Sequence, residues 1–136
     1  MTDQVTSIEQ SKRLIELGVP ADKASMVWCT MSTKTGRRKL QIACEEHIGW
    51  MCRNFPTQYA PAFTVADLLG MIRPIYIGLT TCDPCLEKKG IEGMWRFEFG
   101  QILGYEDFGY AFNHSLIALL ADRIEWIVSN GYGLNL

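Results

Sequence analysis

The stretch LIALLADRIEWIVS, residues 116–129, decides the fold. Leu116, Leu120, Ile124, Ile127 and Val128 recur at helical spacing, while Asp122, Glu125 and Ser129 fall on the opposite side. The pattern predicts an amphipathic helix, ended by Asn130 or Gly131, whose apolar stripe must cover another surface. MWRFEF, residues 94–99, supplies such a surface, because Trp95, Phe97 and Phe99 alternate with Arg96 and Glu98 as in a strand with one solvated face. IYIGLT, residues 75–80, is its expected antiparallel partner, the two flanking a polar segment that holds Cys82, Asp83, Pro84, Cys85 and Gly90. Each large helix side chain buried on that sheet contributes on the order of 1.5 to 3 kcal/mol before entropy is subtracted. A further short strand is expected between residues 102 and 110.

Toward the N-terminus, PAFTVADLLGMIRP, residues 61–74, predicts a helix over about residues 65–72. Thr64 caps it, Asp67 sits in its first turn, and Pro74 disfavours helical geometry at Arg73. SIEQ, residues 7–10, has the spacing of a capping box, so a helix starts at Ile8, shows Glu9, Lys12, Arg13 and Glu16 on one arc, and ends at Gly18. One more helical turn fits residues 20–24. MVWCTM (26–31) and KLQIAC (39–44) read as two strands of a hairpin turning at Gly36. Between Glu45 and Ala60 there is no clean period; Trp50, Phe55 and Tyr59 are scattered among polar residues, and a loop with a short helix is expected.

These elements predict an α+β fold in a single domain, residues 1–136, with an antiparallel sheet packed against an N-terminal helix and a long C-terminal helix. The length of 136 residues and an apolar share of 48% suit one domain that folds without metal or disulfide. Thirteen Lys and Arg against fifteen Asp and Glu leave a net charge of −2, which disfavours a nucleic-acid protein held by bulk electrostatics and also disfavours disorder. The opening MTDQVTSIEQSKRL has no uninterrupted apolar run, and the longest apolar stretch, residues 116–121, is far short of the roughly 20 residues a membrane span needs. A cytoplasmic location without membrane contact is therefore expected. Cys29, Cys44, Cys52, Cys82 and Cys85 are an odd number, which disfavours a disulfide framework.

Three stretches together, SIEQSKRLIELGVPADKASMVW, PAFTVADLLGMI and LIALLADRIEWIVSNGY, resemble small uncharacterised proteins of Bacteroidetes bacteria and their prophages or mobile elements. The resemblance implies a bacterial source and carries no activity, cofactor or site residue with it. The cysteine pair at 82 and 85 and the basic run at 34–39 lie outside those stretches.

Cys82 and Cys85 form a CxxC, a spacing that lets two thiolates meet one tetrahedral ion. Cys44 and His47 share that spacing, so a Cys3His zinc site built from Cys82, Cys85, Cys44 and His47 is arithmetically allowed, with Cys52 as a substitute ligand. The segment after the CxxC is short and bounded by glycine, unlike the long helix that lowers the attacking thiol's pKa in a thioredoxin-like enzyme. Lys34, Arg37, Arg38 and Lys39 form the one basic cluster, at the expected hairpin tip, where phosphate contact competes with simple solvation. His47 and His114 accompany no nucleophile motif. Glu45 with Glu46, and Glu106 with Asp107, are adjacent acids that read as solvated charge. With no Walker motif, GxGxxG or HExxH, no enzyme is expected. The residues point first to a non-enzymatic interaction or accessory module that uses exposed aromatic surface for a protein partner or self-association. The alternatives are a zinc-binding domain using the CxxC half-site and a nucleic-acid accessory protein.

Overall fold

A serine hydroxyl starts the first helix. In the computed structural model, which describes residues 4–30, 38–42, 45–77, 79–89, 93–100 and 110–136, Ser7 Oγ accepts from the Gln10 amide at 3.1 Å and Gln10 Oε1 accepts from the Ser7 amide at 2.9 Å. This reciprocal box opens α1, Ile8–Glu16, whose outer arc pairs Arg13 with Glu16 while Leu14 is buried. Gly18, at φ 100°, turns the chain out of the helix, and the Val19 amide donates to the Leu14 carbonyl at 3.0 Å. A 3-10 turn follows at Ala21–Lys23. β1, Met26–Thr30, then lies between β2, Arg38–Ile42, and β3, Tyr59–Ala62, both antiparallel to it. The expected hairpin partners are thus paired, while its turn, residues 31–37, lies outside the described residues.

Residues 45–60 are more ordered than expected. They form a ten-residue helix, α2, Glu45–Asn54, and the start of β3. The helix escapes detection because Ile48 and Gly49 are buried while Trp50, Arg53 and Asn54 are exposed, which leaves no apolar stripe to count. Pro61 normally argues against a strand; it is tolerated because β3 is the edge of its sheet. Both α1 and α2 pack on β3.

The chain divides into two compact units, Met1–Asp67 and Leu68–Asn135. α3, Val65–Met71, starts with a second reciprocal box: Asp67 Oδ2 accepts from the Thr64 amide at 2.9 Å, and Thr64 Oγ1 accepts from the Asp67 amide at 3.1 Å. The same carboxylate accepts from the amide and hydroxyl of Ser25, which ties the helix start to the chain entering β1.

In the second unit β4, Ile75–Ile77, pairs with β5, Thr80–Cys82. β6, Pro84–Lys89, pairs with β7, Met94–Phe99, which also pairs with β8, Ala111–Asn113. The expected partnership of residues 75–80 with 94–99 is therefore replaced by two local pairings. Residues Pro84–Lys89 of the polar segment between them are themselves a strand, and pairing each strand with its nearest neighbour closes shorter loops at lower entropic cost. The interval expected to hold a further strand is largely outside the described residues, and β8 begins just beyond it. α4, Leu116–Ser129, opens with Ser115 Oγ accepting from the Ala118 amide and packs on β7 and β8. Its buried face holds Ile117, Leu119, Leu120, Ile124 and Ile127 together with Arg123, whereas Leu116 and Val128 are half-buried. The buried face is thus turned about the helix axis from the expected stripe. Among the described residues the fold is α+β, with four helices and three small antiparallel sheets in place of one.

Two substitutions test these anchors by chemical denaturation. Asp67→Ala leaves the Ser25 and Thr64 amides without their acceptor and should cost about 1 to 3 kcal/mol. Ile124→Ala, at a fully buried position, should cost about 2 to 5 kcal/mol. An unchanged midpoint in either variant would show that the anchor carries no stability.

Candidate functional site

The first unit holds a cleft of ≈ 510 Å³ walled by α1, the 3-10 turn, the end of α2 and β3. Its position follows from local chemistry. Gly18 reverses the chain so that Val19, Pro20 and Ala21 form a floor beside Ile15, while Tyr59, Ala60 and Pro61 of β3 face them. Lys12 and Glu16, on the exposed arc of α1, and Asp22 and Arg53 complete the lining. The Asp22 carboxylate occupies the space that a Cβ on Gly49 would need, so the glycine lets the 3-10 turn approach α2 closely. Arg53 Nη1 stands 4.0 Å from Asp22 Oδ2, and both side chains are more than half exposed, so this pair contributes little to stability.

Cys52 lies half-buried on the cleft wall. Burial pushes its thiol pKa above the ordinary value; the Asp22 charge pushes the same way, and Arg53 opposes them. At neutral pH the group is a thiol rather than a thiolate, so it is a poor nucleophile and an apolar part of the wall.

A ridge of aromatic rings continues from this cleft across the end of α2. Phe55 meets Tyr59 edge-on at 6.3 Å and Trp50 edge-on at 5.7 Å. The Phe55 amide donates to the Met51 carbonyl, and the Phe55 carbonyl accepts from the amides of Gln58 and Tyr59, which fixes the turn that carries the ridge. Trp50 is 52% and Phe55 43% exposed, and Ile15 across the cleft is also exposed. The other tryptophans are only part-exposed: Trp28 donates its indole N–H to the Thr6 carbonyl, Trp95 lies beneath Lys88, and Trp126 stacks on Phe99 at 6.0 Å.

The residues singled out from the sequence are placed as follows. Cys82 is buried on β5 and Cys85 exposed on β6, both as free thiols, with the CxxC in extended chain rather than at a helix start. Burial raises the Cys82 pKa, and Asp83 adds to it. His47 is exposed on α2 in the first unit, whereas Cys82 and Cys85 belong to the second; Cys44 lies outside the described residues. Among the described residues no three His, Cys, Asp or Glu side chains gather as a metal site would require. Arg38 and Lys39 open β2 opposite Thr30 and Cys29, while Lys34 and Arg37 lie outside the described residues, as do Glu106 and Asp107. His114 is exposed beside the start of α4. Among the described residues, no helix is long and apolar enough to cross a membrane.

Compared with known protein families, curated proteins and solved structures, the chain matches none of them. Trp50, Phe55 and Tyr59 share no period in the sequence, because the ridge runs from a helix through a turn into a strand. The one available signal was a density of aromatics in a segment that also carries Pro56 and Pro61.

Alkylation mapped by mass spectrometry tests the thiol environments. In the native protein Cys85 should react readily and Cys82 only on unfolding, while Cys52 should react slowly at neutral pH and faster as pH rises past the ordinary thiol range. Asp22→Asn removes a charge that raises the Cys52 pKa and should accelerate its labelling; Arg53→Gln should retard it. Equal rates for all three proteins at every pH would contradict this electrostatic account.

Proposed function

We propose that this chain is a non-enzymatic interaction module that docks a segment of another protein on the cleft and aromatic ridge of its first unit. The observation that carries this reading is the continuity of the two features: an apolar cleft whose Tyr59 wall is the first ring of an outward-running series, with Trp50 and Phe55 left in water. Exposed aromatic rings of this kind are costly to a chain that binds nothing, and Trp and Tyr dominate the energetics of protein interfaces. A cleft of ≈ 510 Å³ falls within the range that accommodates a ligand or a few side chains of a partner. Its chemistry supports binding rather than catalysis. The one thiol is held protonated, and the ion pair beside it is loose and solvated.

A displayed random-peptide library, panned on the wild-type chain and on Trp50→Ala/Phe55→Ala, tests the reading. Both side chains are substantially exposed, so the variant should keep the wild-type circular dichroism spectrum. Sequences enriched on the wild type and lost on the variant are expected. Enrichment that is equal on the two proteins, or absent from both, would sink the proposal.

A further inference from the structure

Each arginine whose side chain the structure describes has a carboxylate beside it, with one exception. Arg13 pairs with Glu16, Arg53 with Asp22, Arg96 with Glu87 and Glu98, and Arg123 with Asp122. The Arg73 guanidinium has neither an ion pair nor a hydrogen bond among the described residues. It stands on the wall of a cavity of ≈ 190 Å³ in the second unit, between residues 73–76, which lead from α3 into β4, and residues 131–133, which follow α4. No acidic side chain lines this cavity, so its lining carries a single positive charge.

Both walls are held by bonds of their own. After α4 the amides of Gly131 and Tyr132 donate to the Val128 and Ile127 carbonyls, each at 3.0 Å. Two residues beyond the cavity Asn135 returns the chain to the end of α3: its amide donates to the Met71 carbonyl at 2.8 Å and its Nδ2 to the Gly70 carbonyl at 3.1 Å. The opposite wall starts at Pro74 and continues as β4, whose Ile75 is paired with Cys82. Gly133 sets the position of the cation. Arg73 Nη2 fills the space where a Cβ on Gly133 would stand, so the guanidinium lies against the tail backbone and any side chain there would displace it.

A guanidinium offers a flat fork of N–H donors that matches the two oxygens of a carboxylate, and one positive charge balances a monoanion. The rest of the lining includes Pro74, Tyr76 and Tyr132, against which a flat apolar body can pack. We infer that this cavity binds a small monocarboxylic acid with an apolar body, Arg73 holding the carboxylate and Gly133 placing Arg73. The site shares no residue with the cleft of the first unit and does not depend on the docking role proposed for it.

Titration of the isotope-labelled full chain with benzoate, followed by amide NMR shifts at fixed ionic strength, tests the inference. Benzamide, of the same shape without the charge, and inorganic phosphate are the comparison probes. Benzoate should shift the amides around residues 73–76 and 131–133 saturably with a Kd below about 5 mM, benzamide should not saturate, and phosphate should bind at least about tenfold more weakly. Arg73→Gln removes the fork, and Gly133→Ala keeps the charge but moves it. Both positions are exposed, so each variant should keep the wild-type spectrum elsewhere while losing benzoate affinity at least about tenfold. Absence of saturable shifts at these residues, equal binding of benzamide or of phosphate, or full benzoate affinity in either variant overturns the inference.

Discussion

Backbone amides on the outer edge of β3 must find acceptors without a neighbouring strand, and the way they do so organises the first unit. The Thr6 hydroxyl, fully buried, accepts from the Phe63 amide and is 2.7 Å from the Ser11 hydroxyl, so one side chain joins the N-terminal segment, α1 and the sheet. The Thr6 carbonyl accepts the Trp28 indole proton from β1, and the Thr6 amide returns a bond to the Phe63 carbonyl. Farther along the edge, the Phe55 carbonyl takes the Tyr59 amide, and Pro61 presents no donor at all. A buried amide left unpaired costs on the order of 1 to 3 kcal/mol, which is why α1 and the turn after α2 are held where they are.

Closing that edge has a functional side. An unprotected strand edge invites pairing with other chains, and here the template is removed by a hydroxyl, a turn carbonyl and a proline. What remains outward is side-chain surface: apolar walls from Ile15, Val19 and Ala60, and rings stepping away through Tyr59, Phe55 and Trp50. The second unit builds part of its core from aromatic rings. Phe97 and Phe99 are buried and meet edge-on at 5.2 Å, Trp126 of α4 stacks on Phe99, and Tyr132 lies 5.9 Å from Trp126. On the opposite face of β7, Arg96 pairs with Glu98 at 2.9 Å and Glu87 at 3.4 Å and lies over the Tyr110 ring, so that this face is part-buried and built from paired charge. Both units also leave rings in water, Tyr76 and Phe112 in the second as Trp50 and Phe55 in the first.

Helices with side-chain caps were legible because the signal is local. Ser7 with Gln10 and Thr64 with Asp67 each satisfy amides within three residues, and the elements begin where those residues stand; the Ser115 cap of α4 is seen only in the structure. β7 was equally clear from its alternation, since Phe97 and Phe99 are the buried members of the strand. α2 was not legible, because its burial rests on Ile48 and Gly49 and the glycine's role is to admit the Asp22 carboxylate. The strand partners of the second unit were not legible either: alternation tells which face of residues 94–99 is buried and says nothing about whether residues 75–77 or 84–89 lie alongside.

The sequence by itself determined the α+β class, the capped starts of α1 and α3, the antiparallel pairing of β1 with β2, and a net charge close to zero. Those properties depend on residues a few positions apart or on composition alone. Tertiary structure decided that Cys82 is buried while Cys85 is exposed, that Pro61 closes an edge, and that three rings unrelated by any period stand in series beside a cleft. These depend on the path by which a helix, a turn and an edge strand are brought together. That path is set by where buried amides find acceptors, a condition on the whole unit rather than on any one segment.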